Sequence, residues 1–145
     1  LNGYLSVPAC AFYPNSTDLT LSGVTGIMTN GAADSATKGA IAMVRLPTGA
    51  VVNEVTVYGN LTSASAELGC DLKKMIMTTA VVTTMATMTA TGSTGDVTAT
   101  DSSITSATTD AGAIWLAVTL KNAGSSNQCV FHGVKITFTI STVKP

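Results

Sequence analysis

The segment from Cys129 to Thr142 constrains the fold more than any other part of the chain. Val134, Ile136, Phe138 and Ile140 alternate without a break with Lys135, Thr137 and Thr139. A period of two belongs to a strand with one face in a core and the other in water. Gly133 interrupts the pattern. A glycine inside a strand often marks a bulge, and a bulge here lets Cys129 and Phe131 share the inner face with Val134 and Ile136.

Seven further segments read as strands, separated by Gly, Pro, Asn, Asp and Ser. They are about Leu5–Tyr13, Ala40–Leu46, Ala50–Tyr58, Ala66–Ile76, Thr83–Thr91, Asp96–Ile104 and Ala113–Leu120. In the third, Val51, Val55 and Val57 share one phase; in the fourth, Leu68, Cys70 and Leu72 alternate with Glu67, Gly69, Asp71 and Lys73. Gly92-Ser93-Thr94-Gly95 reads as the turn of a hairpin. A helix over Asp71–Ala90 competes with the strand reading there, but the cluster Thr78, Thr79, Val81, Val82, Thr83 and Thr84 and the lack of caps oppose it.

Composition agrees. Thr is the commonest residue, roughly one in six, and only 10% of the 145 residues are charged. Thr joins a β-branched stem to a small polar tip, which suits the wet face of a strand. A hydrophobic content of 46% excludes a disordered chain. Eight short antiparallel strands in one domain, residues 1–145, predict an all-β jelly-roll β-sandwich whose first and last strands lie side by side. The net charge of −1 offers no field for nucleic acid, and no apolar run approaches the ~20 residues that span a bilayer.

The motifs Val7-Pro8-Ala9-Cys10-Ala11-Phe12-Tyr13-Pro14, Val44–Val52, Val55-Thr56-Val57-Tyr58, Leu68–Leu72 and Val130–Phe138 together resemble secreted prokaryotic single jelly-roll proteins. More loosely, the chain looks like exported subunits of extracellular filaments or tubes, the cannula-type proteins among them. That resemblance implies subunits joined by an exchanged strand and sometimes by calcium. The acids here are few and scattered, so no cofactor is expected beyond calcium at Asp96, Asp101 and Asp110, the best oxygen donors near loops. Turn residues capping backbone groups explain the same acids.

Low charge leaves little repulsion between copies. The leading expectation is therefore a structural protomer of a homopolymeric extracellular filament, tube or coat, with identical subunits as partners. Residues 1–14 are the candidate exchanged strand, through Leu5, Val7, Cys10 and Phe12. Residues 15–39 are a candidate assembly loop, through Leu19, Leu21, Val24, Ile27 and Met28, or else an extra hairpin over the same sandwich. The alternative function is a carbohydrate-binding or adhesin-type module; such a module usually presents exposed aromatics, and here only Trp115 and a few Tyr are available. A start at Leu1 fits a removed leader and an extracellular or cell-surface location, and Asn15 and Asn60 head glycosylation sequons.

Enzymatic function is not expected. The only His, His132, has no apparent nucleophile to activate, and the acids form no telling pair. Met75, Met77, Met85 and Met88 read as gap-filling side chains. Adjacent first and last strands bring Cys10 near Cys129 as a disulfide candidate and leave Cys70 as a buried thiol; three reduced cysteines are the other reading.

Overall fold

The structure, a computed structural model, describes residues 1–109 and 112–141. Eleven strands occur among them: β1 Asn2–Pro8, β2 Tyr13–Pro14, β3 Leu19–Leu21, β4 Met28–Asn30, β5 Thr37–Val44 and β6 Ala50–Leu61. Then follow β7 Glu67–Ile76, β8 Val81–Ala90, β9 Gly95–Asp101, β10 Gly112–Lys121 and β11 Cys129–Ile140. They form two antiparallel sheets, one ordered β3-β4-β11-β6-β9 with β1 also on β11, the other β2-β5-β10-β7-β8. The result is an all-β sandwich of the expected class, with eleven strands rather than eight. The helix alternative over Asp71–Ala90 is replaced by β7 and β8.

Alternation builds the core. Ile114, Leu116, Val118 and Leu120 of β10 and Leu68, Cys70 and Leu72 of β7 point inward against Val55, Val57, Phe131, Val134 and Ile136 of the other sheet. The bulge at Gly133 is present: pairing steps from Phe131↔Gly59 to Gly133↔Tyr58, so His132 is the extra residue. Cys129, Phe131, Val134 and Ile136 are buried together as the phase shift requires. A second irregularity between Thr137 and Phe138 brings Val52, not Val51, into phase with Val55 and Val57. Gly59 does not close its strand, which runs on to Leu61; a Cβ at Gly59 would collide with the Val130 carbonyl and Leu68, so the glycine permits close packing.

The chain ends depart from expectation. β1 pairs with its own β11 over seven residues, from Asn2↔Thr139 to Pro8↔Gly133. Its strand-forming surface is therefore used within the chain, and no exchange is needed to complete the sheet. A 3₁₀ turn over Ala9–Ala11 then carries the chain to the opposite sheet, where Phe12 packs edge-on against Phe131 with ring centroids 4.8 Å apart. Val7 and Phe12 are buried in this core, and Leu5 packs against it.

Residues 15–39 take the hairpin form. β3 pairs with β4, and β4 pairs with Val130 and Phe131 of β11. Leu19 and Met28 are buried in the same sandwich, Ile27 is half-buried, and Leu21 and Val24 are exposed. Lys38 ties this segment down through an ion pair with Asp18 at 2.9 Å; its hydrogen bond holds the Asp18 carboxyl below the ordinary range. Of the assembly surface expected from the sequence, Leu19 and Met28 are thus core, while Leu21 and Val24 stay in water. Gly92-Ser93-Thr94-Gly95 is not a hairpin turn either, because β8 and β9 belong to different sheets and the segment crosses between them.

Candidate functional site

The two outward faces remain for function, and β10 shows how the sequence equips one of them. Its inward phase is Ile114, Leu116, Val118 and Leu120; its outward phase is Ala113, Trp115, Ala117 and Thr119. A tryptophan in the wet phase of a central strand has no core to fill. Cross-strand pairing places Met43 on one side of it and Lys73 on the other. The neighbouring row runs Tyr13, Ile41, Ala117, Asp71 and Thr87 across all five strands. Tyr13 is 77% exposed and Met43 67%.

Beside Trp115 lies a groove of 220 Å³ lined by Asp71, Lys73, Thr87, Thr89, Ala117 and Thr119, with Glu67 at one end. Gly69 forms its floor, and a Cβ there would stand 2.5 Å from Thr119 Oγ1. The groove exists because three consecutive rows, Glu67 with Lys121, Gly69 with Thr119 and Thr89, and Asp71 with Ala117 and Thr87, carry small or polar side chains up to the row of Trp115. Asp71 and Lys73 stand 3.8 Å apart and are each about one-third exposed, a loose pair that leaves both heads free to meet a ligand. Carboxylate, ammonium and hydroxyl groups in the groove, with half-buried Trp115 one row on and paired to Lys73, suit a polyhydroxylated ligand with apolar ring faces.

The residues singled out from sequence lie elsewhere. Asp96 and Asp101 sit at opposite ends of β9, about 17 Å apart at the usual rise per residue, so one cation cannot hold both. Both are occupied: Asp96 Oδ1 accepts the Asn60 amide at 2.9 Å, and the Asp101 oxygens accept the Thr87 N–H at 2.9 Å and the Ser103 N–H at 2.8 Å. Asp110 lies outside the described residues. No cluster of three metal-ligating side chains occurs among the described residues. Asn15 is exposed, whereas Asn60 is half-buried with its side-chain nitrogen donating to Asp96.

The three cysteines are free. Adjacent, antiparallel first and last strands are present, but the 3₁₀ turn lifts Cys10 to the surface while Cys129 faces the core, so the Cys10–Cys129 bridge is not formed. Burial raises the thiol of Cys70 well above its ordinary range and that of Cys129 to about 12. Thiolate is the reactive form, so only Cys10 is expected to react with iodoacetamide in the native protein, the other two after unfolding. Unfolded thiols ionise near pH ~8.5. A raised folded value therefore contributes stability that is complete below that pH and lost above it. The denaturant midpoint is expected to fall between pH 8 and pH 10.5, and to fall less in Cys129→Ala.

Among the described residues no helix is long and apolar enough to cross a membrane. No family profile matches the chain, and no curated protein matches it in sequence. Solved structures do. A two-module fragment of Clostridium thermocellum endo-1,4-β-D-xylanase 10B, comprising CBM22-1 and the GH10 module complexed with xylohexaose, superposes over 100% of this chain with TM-score 0.58 and 17% identity; the chain spans 29% of its length. The carbohydrate-binding module CBM36 in complex with calcium and xylotriose aligns with 93% of this chain and 99% of its own, at TM-score 0.57 and 18% identity. The xylan-binding module CBM15 aligns with 98% and 100%, at 0.56 and 15%. The likeness extends over whole modules, and it overturns the expectation of a filament protomer: the chain has the jelly-roll sandwich fold of carbohydrate-binding modules.

Proposed function

We propose that the chain is a non-catalytic carbohydrate-binding module that works outside the cell and takes a neutral xylan-type polysaccharide on the outer face of the β2-β5-β10-β7-β8 sheet. The observation that carries this reading is Trp115, in the outward phase of the central strand β10 and paired with Lys73, one row from the groove of Asp71, Thr87 and Thr119. A pyranose ring has an apolar face of axial C–H groups and an equatorial rim of hydroxyls. The indole meets the first, and the acceptor and donor side chains meet the second. The modules CBM36 and CBM15, whose fold the chain shares over nearly its whole length, bind xylotriose and xylan, which supports the choice of sugar.

Isothermal titration with xylohexaose tests the reading. Saturable binding is expected, with affinity at least five-fold lower in Asp71→Ala, because truncation removes an acceptor of sugar hydroxyls from the groove. Absence of binding to xylohexaose and to insoluble xylan would overturn the proposal.

A further inference from the structure

The opposite face of the sandwich carries a second, differently charged depression. The bulge in β11 turns both His132 and Lys135 outward, although a regular strand would send residues three apart to opposite faces. Between them Gly133 presents no side chain, and none fits, since a Cβ there would stand 2.8 Å from the Val7 carbonyl oxygen. Pairing sets Pro8 of β1 on one side of Gly133 and Tyr58 of β6 on the other. Two rings thus flank a bare strand across two strand spacings, about 10 Å, enough to admit one sugar ring.

The depression measures 470 Å³, and its lining includes Ser6, Pro8, Tyr58, His132 and Lys135 but no carboxylate. Lys135 also borders a second depression of 350 Å³, lined by Asn2, Tyr4 and Asn53, and its ammonium lies 5.2 Å from the centre of the Tyr4 ring. That contact holds the charge at the junction of the two hollows. The acids on this face stand outside both hollows: Glu54, opposite Thr137, is one row from Lys135, and Asp96, opposite Asn60, is one row from Tyr58. A trough walled by a tyrosine and a proline ring, with a cation and no acid in its lining, complements a sugar that carries a carboxylate.

We infer that the outer face of the β1-β11-β6 layer is a second glycan site, specific for hexuronic-acid residues and separate from the neutral-sugar groove around Trp115. Lys135 pairs with the uronate carboxylate, and Tyr58 and Pro8 take the faces of the ring. Because the two sites lie on opposite faces of the sandwich, each can be tested without the other.

The test is titration of isotopically labelled full-length chain with trigalacturonate, followed by amide chemical shifts, with xylohexaose in a parallel series. Trigalacturonate is expected to shift amides of β1, β6 and β11, to weaken at least ten-fold in Lys135→Gln and in Tyr58→Ala, and to weaken in 0.5 M NaCl. Lys135→Arg should restore binding and Trp115→Ala should leave it unchanged. All three altered side chains lie at least partly in solvent, and retained spectra of the free variants verify the fold. Failure of trigalacturonate to bind, undiminished binding by Lys135→Gln, or loss in Trp115→Ala would overturn the second site. Loss of xylohexaose binding alone would bear only on the groove around Trp115.

Discussion

Asn122→Ala is expected to cost about 3–5 kcal/mol of folding stability, the largest loss from any single truncation of a polar side chain among the described residues. Asn122 is wholly buried where β4, β10 and β11 meet. Its side-chain nitrogen donates to the carbonyls of Asn30 and Ala32 at 2.9 and 2.7 Å, and its oxygen accepts the N–H groups of Gln128 and Cys129 at 3.2 and 3.0 Å. Alanine strands the Ala32 carbonyl and both amides away from water; the Asn30 carbonyl keeps the Asn127 N–H at 2.8 Å. Three orphaned groups at roughly 1–3 kcal/mol each set the scale. Asn30 adds to the same network by donating to the Leu120 carbonyl at 2.9 Å, which links the two sheets. Urea unfolding should show a lower midpoint with an unchanged slope, and the melting temperature should drop by about 10 °C. A loss under about 1 kcal/mol would mean that the freed groups reach water.

That network explains what in this fold was hard to read from sequence. The long strands were legible, because β7, β10 and β11 each bury one phase and their alternation is a local property of the chain. The class of fold and the adjacency of first and last strands followed from them. The short strands β2, β3 and β4 carry two or three residues each, too few for a period to show. β3 and β4 are strands because Asn122 and Asn30, 92 residues apart, bond across the sandwich and because β11 offers an edge beyond the end of β1. Neither cause is local. The same limit misdirected the reading of residues 1–39: apolar content in a segment without visible partners suggested a neighbouring copy, when the partners were β11 and the core of the same chain.

The candidate site was half legible. The phase of β10 alone shows that Trp115 faces away from Ile114, Leu116, Val118 and Leu120, a signal that local alternation contains. What the sequence does not contain is the register that sets Asp71 beside Ala117 and Thr87 beside Asp71. The chosen acids, Asp96 and Asp101, were picked for lying near loops. Their carboxylates instead fasten Asn60, Thr87 and Ser103, as short polar side chains at strand ends commonly do.

Trp115→Ala is expected to lower affinity for xylohexaose by at least thirty-fold while changing stability by less than about 1 kcal/mol. The two effects separate because the side chain stands in the outward phase of β10, between Met43 and Lys73, and takes no part in the packing of Leu116 and Leu120. Its indole is the only tryptophan surface in the chain, so no second side chain of that size can replace it. The polar groups of the groove cannot compensate, since water competes for every hydrogen bond they make to a sugar while it cannot compete for the apolar ring face. Trp115→Phe should recover part of the affinity, because a smaller flat ring covers less of the pyranose. Tyr13→Ala, at the sheet edge in the row beyond Ile41, should cost less than Trp115→Ala, as contacts at a rim stay wet and contribute little. Titration of the three variants in parallel with thermal melts measures both quantities. Equal losses at Tyr13 and Trp115 would move the centre of binding from the groove to the sheet edge, and an unfolded Trp115→Ala variant would make the indole a core residue after all.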